Sequence, residues 1–267
     1  MKRKPNKRLL TKDKLLIKRL TNNGKSLRYI SKIMSLGITT IYYQVRKFKP
    51  RQRKDFIVGL TDFEIGELIG AFAGDGSYGH YFNDKKDIGK GGQHRIRYFL
   101  SLKDEKEYAN YLKKLLLKLN LNPHISTRKN NNTITISVSS LSYLNFIKKY
   151  LKWEKDKTFS IRLKNPLNSY SEEFLKGFAR GLMDTDGFLN SGNVACACIS
   201  KNLINNLSKI FIKFKLEITR KVAVRGGNRR PLYYVRVRRE SLQEYSKLIG
   251  FSNSHKSKQL NNIFRKG

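Results

Sequence analysis

The chain has 267 residues, 39% of them hydrophobic, and 56 Lys plus Arg against 20 Asp plus Glu give a formal net charge of +36. No apolar run approaches the roughly 20 residues that span a bilayer. The start, MKRKPNKRLLTKDK, lacks the apolar stretch and cleavage site of a secretory signal, so the expected location is the cytoplasm, or a nucleoid or organelle matrix, and not outside the cell.

Such an excess of positive charge repels itself unless a polyanion neutralises it. No basic amphipathic helix with a broad apolar face stands alone, which favours nucleic acid over a membrane surface as partner. Up to about Lys54 the chain is separate in character. Leu15, Leu16 and Leu20 recur at helical spacing until Asn23-Gly24 stops the helix. Ser26 is placed to cap a second helix over Ser26–Met34, and Ser35–Ile38 reads as a tight turn. Thr39 then caps a third helix, TIYYQVRKF, with Ile41, Val45 and Phe48 inward. This resembles a helix-turn-helix whose second helix offers Thr40, Tyr42, Tyr43, Gln44, Arg46 and Lys47 to DNA; the plainer alternative is a three-helix cap with a solvated basic face. KPRQRKD (Lys49–Asp55) reads as a linker.

From Ile57 onward the chain repeats itself. LIGAFAGDGSYG (Leu68–Gly79) is answered by FARGLMDTDGFLNSG (Phe178–Gly192), and each is followed by strand pair, helix, strand pair and helix. The middle helices show in the spacing of Tyr108, Leu112, Leu115, Leu116 and Leu119, and of Leu203, Leu207, Ile210, Phe211 and Phe214. The strands Thr133–Val138 and Tyr233–Arg238 alternate apolar residues with hydroxylic or basic ones, as half-buried sheets do. Their open faces, carrying Arg97, Arg128, Thr133, Thr135, Arg236 and Arg238, suit a phosphate-rich ligand. The loops KNNNT and RGGNRRP, with Arg225, Arg229 and Arg230, extend those faces. Cys196 and Cys198, two apart in an extended run, share one face and read as small core residues in a reducing compartment.

In both copies a helix of small residues ends on an aspartate with no basic neighbour within a turn. Gly70, Ala71, Ala73 and Gly74 in one, and Ala179 and Gly181 in the other, leave a bare side along which two helices can approach closely. If they do, Asp75 and Asp186 meet at two helix C-termini, where the dipoles add further negative charge. A divalent cation would relieve that conflict; hard oxygen donors suit magnesium, which also binds substrate phosphate.

At this point LIGAFAGDG (Leu68–Gly76) and ARGLMDTDG (Ala179–Gly187) resemble the paired motifs of the LAGLIDADG homing endonucleases, a likeness extending from about Ile57 to Ile263. The resemblance implies an α+β fold: two pseudo-symmetric αββαββα subdomains, 55–167 and 168–267, forming a DNA-binding saddle behind the helix-turn-helix domain of 1–54. It implies Asp75 and Asp186 as catalytic metal ligands, with the carbonyls of Gly74 and Thr185 assisting, and Mg2+ or Mn2+ as cofactor. Lys103 and Lys201, at the end of the strand preceding each middle helix, match the family's basic residue, which positions water or neutralises charge on the phosphate; a solvated or phosphate-contacting side chain is the alternative. Asp184 stands where the first copy has Ala73 and reads as a packing or capping residue. His80 and His94 read as loop residues without a role. The expected activity is cleavage of double-stranded DNA at a long specific site by a monomer, as in intron homing. The alternative is a DNA- or RNA-binding protein of the same fold, either a transcription regulator or a maturase acting on intron RNA.

Overall fold

The computed structural model describes residues 9–48, 56–81, 93–190, 192–224, 226–227 and 230–265. The chain divides into two compact units, Met1–Lys54 and Asp55–Gly267. The first holds α1 (Thr11–Asn22), α2 (Leu27–Met34) and α3 (Ile38–Phe48), closed around Ile17, Ile30 and Ile41. Gly24, at φ +72°, ends α1 in the left-handed region that glycine adopts without strain. The Ser26 hydroxyl accepts from the Tyr29 amide and starts α2. The third helix begins at Ile38, one residue before the expected cap. Gln44, expected on the exposed face of α3, is only 8% exposed. It lies three residues after Ile41, on the same helical face, and is carried into this small core.

The second unit opens with α4 (Asp62–Asp75), started by a reciprocal Thr61–Glu64 capping box. It is followed by β1 (Gly76–Tyr81), β2 (Gln93–Ser101), α5 (Lys106–Lys118), β3 (His124–Arg128), β4 (Thr133–Ser139) and α6 (Leu141–Tyr150). A short pair, β5 (Leu151–Lys152) and β6 (Arg162–Leu163), brackets the one-turn α7 (Lys157–Ser160). The pattern then recurs as α8 (Glu172–Thr185), β7 (Gly187–Asn190), β8 (Asn193–Cys198), α9 (Lys201–Lys213), β9 (Ile218–Ala223), β10 (Leu232–Val237) and α10 (Leu242–Leu248). A last helix, α11 (Ser254–Arg265), follows it. Both sheets are antiparallel with matching strand orders, β1-β2-β4-β3 and β7-β8-β10-β9. The expected order of elements in two αββαββα repeats is therefore the observed one. His80 and His94 are not loop residues; they face each other across β1 and β2 with stacked rings 4.3 Å apart, and Tyr78 shares a 2.9 Å hydrogen bond with His94.

One core runs through both repeats, and α4 and α8 cross at its centre with their backbones in contact. A Cβ on Gly66 or Gly70 would collide with the carbonyl oxygen of Phe174 or Phe178; one on Gly177 or Gly181 would collide with that of Phe63 or Glu67. The four glycines thus form two reciprocal pairs about a local twofold axis. Gly66 and Gly177 extend the bare sides read from the sequence by one turn toward the helix starts. There the Ser171 hydroxyl, the cap of α8, donates to the Asp62 carboxylate at 2.6 Å and ties the two helix entrances together.

Glycine at these crossings is required by contact with main chain, which cannot rotate away as a side chain can. Gly70→Ala or Gly181→Ala is expected to destabilise the protein by about 3 kcal/mol, lowering the thermal midpoint by roughly 6–12 °C. Gly226→Ala, at a glycine with nothing within 4 Å, should leave it unchanged. Thermal unfolding followed by circular dichroism checks the contrast.

Candidate nucleic-acid and metal site

An aspartate closes each of the two crossing helices, Asp75 as the last residue of α4 and Asp186 as the cap just past α8, and the glycine directly behind it starts a sheet: Gly76 into β1 and Gly187 into β7. The crossing brings these ends together. A Cβ on Gly74 would lie 3.2 Å from the carboxyl carbon of Asp186 and would collide with the Thr185 hydroxyl. Asp75 holds its proton up to about 7, first because it is buried, then because of the charges of Asp186 and Glu105; Lys256 and Lys157 oppose the rise. Burial raises Asp186 as well, against the pull of Lys157 and Lys256. Two acids distant in sequence therefore do share one location.

Lys157 and Lys256 correct the expectation that no basic group answers the aspartates. The Lys157 ammonium donates to the carbonyls of Ala73 (2.9 Å) and Gly74 (3.1 Å) at the end of α4. The Lys256 ammonium donates to Met183 (3.2 Å), Asp184 (2.6 Å) and Thr185 (3.0 Å) at the end of α8. These are the carbonyls a helix leaves unsatisfied, at the negative end of its dipole. Burial pushes Lys157 down to about 8 and also lowers Lys256. Both residues stand in the first turn of the helix that follows a repeat, α7 or α11. That shared placement is the one signal in the sequence that could have found them.

Asp184 takes no part in this pair. It is fully buried and accepts from the amides of Ser252 (3.1 Å) and Asn253 (2.9 Å), fixing the loop that leads into α11 and so to Lys256. Lys103 and Lys201 do not end strands as expected: Lys103 is exposed in the turn after β2, and Lys201 is exposed at the start of α9. The lysines that act on the two aspartate charges are Lys157 and Lys256.

The donor set suits a hard divalent cation. Among the described residues no group of three or more His, Cys, Asp or Glu gathers to enclose an ion. An ion held by Asp75 and Asp186 would keep waters and an open side for phosphate, as magnesium does. The Gly74 and Thr185 carbonyls already accept from lysine, and each retains a second lone pair.

The sheet faces turned away from the helices carry the expected polar residues. In the first sheet Arg97, Thr133, Thr135 and Arg128 share one face by register. Arg97 bonds the Tyr81 hydroxyl and lies over the Tyr81 and Phe99 rings. Arg95 on the same face donates to Gln93 at 2.7 Å; Arg95, Tyr81 and Phe99 were not singled out from the sequence. In the second sheet Arg236 stands in this position, while Arg238, just past β10, pairs with Glu217 at 3.5 Å. Arg230 stacks over Phe159 of α7 at 3.8 Å. Arg225 and Arg229 lie outside the described residues. In the first unit Thr40, Tyr43, Arg46 and Lys47 are exposed, and Arg46 lies over the half-buried Tyr42 ring.

With this geometry in view, residues 173–250 match the family model described as a LAGLIDADG-like domain. The chain has the fold of the LAGLIDADG homing endonuclease I-DmoI. The crystal structure of I-DmoI with DNA and Ca superposes with a TM-score of 0.57 and 14% identity, over 75% of this chain and 98% of that one. The structure with DNA and Mn gives 0.54 and 15%, over 71% and 97%. Among curated proteins, the uncharacterized protein MJ0398 of Methanocaldococcus jannaschii is 25% identical over 232 residues, 80% of this chain and 76% of that protein. No helix among the described residues is long and apolar enough to cross a membrane.

The aspartate pair has a measurable consequence without any metal. The folded Asp75 carboxyl keeps its proton to about pH 7, whereas in the unfolded chain it ionises near its ordinary value of about 4. Its folded pKa is raised, so its ionisation destabilises the folded protein as pH rises through that window. Asp75→Asn is expected to raise the thermal midpoint in EDTA by roughly 2–6 °C at pH 8, with the gain gone at pH 4. Calorimetry at the two pH values checks it.

Proposed function

We propose that the protein is a site-specific double-strand DNA endonuclease that hydrolyses one phosphodiester bond in each strand, acting as a monomer with Mg2+ or Mn2+. The observation that carries this reading is the meeting of Asp75 and Asp186, partly buried and mutually repelling, at the point where both sheets begin. A divalent ion bound there supplies an activated water and neutralises charge at the leaving oxygen. In this reading the aspartates and the carbonyls of Gly74 and Thr185 hold the ion. Lys157 and Lys256 fix the helix ends and place positive charge beside the scissile phosphates. Lys103 and Lys201, exposed at matching places after β2 and β8, reach the same phosphates.

The outer faces of the two sheets meet the major groove on either side, where side chains can read base edges. The ion-DNA complexes of I-DmoI support the same partner and cofactor class. A net charge of +36 supplies the long-range attraction. The first unit, read as a helix-turn-helix over 1–54, lengthens the footprint through Thr40, Tyr43, Arg46 and Lys47. The two repeats, over 55–167 and 168–267, each serve one half-site.

Two experiments test this. With a target selected from a random duplex library in magnesium, Asp75→Asn and Asp186→Asn should each abolish double-strand cleavage while binding stays within about threefold, a loss too small to signal a missing phosphate contact. Double-strand cleavage by the doubly substituted protein would refute the reading; binding and splicing of intron RNA indifferent to both substitutions would establish the maturase alternative. For the first unit, Arg46→Ala with Lys47→Ala should weaken binding to all duplexes alike and reduce the slope of log K against log salt by about 2. Fluorescence anisotropy over a salt series reads both quantities.

A further inference from the structure

The two sheets are related by the duplication, so their outer faces can be compared strand by strand. Tyr98 of β2 pairs with Gly76 after the first aspartate, and Cys196 of β8 pairs with Gly187 after the second. Arg97 and Phe99 of the first sheet therefore occupy the places held by Ala195 and Ala197 in the second. On the neighbouring strand the sizes are exchanged. Ser137 and Thr135 of β4 pair with Arg97 and Phe99, whereas Arg236 and Tyr234 of β10 pair with Ala195 and Ala197. The second sheet thus has a floor of methyl groups where the first has a guanidinium and a ring.

That floor lies in a hollow. Phe188, Ala195, Thr219, Lys221 and Arg236 are among the residues that line it. Phe188, Ala195, Arg236 and Thr219 form one row straight across the four strands. Ala195 is only 4% exposed, while the Phe188 ring beside it is 38% exposed. An aromatic ring left in solvent against an alanine, with Arg236 and Lys221 beside it, is an apolar recess with cationic walls. Neither group can hydrogen-bond a base edge. In the major groove the apolar group that such a surface can take is the 5-methyl of thymine.

The geometry points to the recess formed by Phe188 and Ala195 as a reader of a thymine 5-methyl group, in the half-site that the second repeat covers, with Arg236 and Lys221 holding the adjacent phosphate or base edge. This inference rests on the duplex-DNA reading above and deepens it. It makes Phe188 a specificity-determining residue and ties the preference to DNA, since uracil lacks that methyl.

The test replaces each thymine of the selected duplex, one at a time, by deoxyuridine, which removes the methyl and nothing else. Binding of the full-length protein is measured in calcium. Burying one methyl group corresponds to about a fourfold change in affinity. One or two thymines clustered on one side of the cut are expected to show that loss. Phe188→Ala, a substitution at a partly exposed position, should bind more weakly to the thymine duplex and no longer distinguish it from the uracil one. If the wild-type protein binds its selected duplex and tolerates every deoxyuridine within twofold, this inference is overturned while the nuclease reading stands. If no duplex is bound sequence-specifically, both fall.

Discussion

The contact of main chain with main chain between α4 and α8 governs the rest of the structure. Helices separated by ordinary side chains pack with axes about 8–10 Å apart. Here Gly66, Gly70, Gly177 and Gly181 remove the intervening atoms, and each glycine faces a carbonyl of the other helix. The closeness of the two aspartates follows from this crossing and needs no loop to adjust it. Gly74 continues the row, with the Thr185 hydroxyl where its Cβ would be. The same glycine that permits the approach thus carries the carbonyl and precedes the carboxylate of the site.

Such an approach concentrates negative charge. Two carboxylates and two helix C-termini converge, with Glu105 near enough to raise Asp75 further. Unrelieved, that arrangement favours either protonated acids or separated helices. Lys157 and Lys256 relieve part of it, bonding the terminal carbonyls and lowering both carboxylates by their charge, yet burial keeps both acids above their ordinary range. The loop carrying Lys256 is itself fixed by Asp184, whose buried carboxylate takes two backbone amides. One residue of the motif helix therefore serves the lysine that serves that helix.

The duplicated motif, the periodicity of the middle helices and the alternation of the strands were legible in the sequence because each is a local pattern with a fixed period. The spacing of Gly66 to Gly70 and Gly177 to Gly181 is as local and could have been read, since one turn of helix puts both residues on the crossing face. Lys157 and Lys256 were not legible in the same way. Lys157 reaches Gly74 across 83 residues of sequence and Lys256 reaches Thr185 across 71, and a lysine destined for burial looks like any of the others in so basic a chain. Gln44 failed for a different reason: polarity suggested an outward face, while its position three residues from Ile41 decided the matter. His80 and His94 read as loop residues among glycines, yet strand pairing stacks them.

The two repeats are alike where backbones touch and unlike where side chains face outward. At the crossing, a residue larger than glycine would displace a helix and with it the opposite aspartate, so both copies need the same small residues. On the sheets the pleat sends alternate residues away from the core, and changing one of them disturbs neither register nor packing. Arg97 and Phe99 can therefore stand where the other copy has Ala195 and Ala197 without altering the order of strands. The proposed activity, identical on two strands with different bases read beside each, would have its requirements met by this division. The rigid, duplicated part sets where the two aspartates lie, and the tolerant faces can differ from one half to the other.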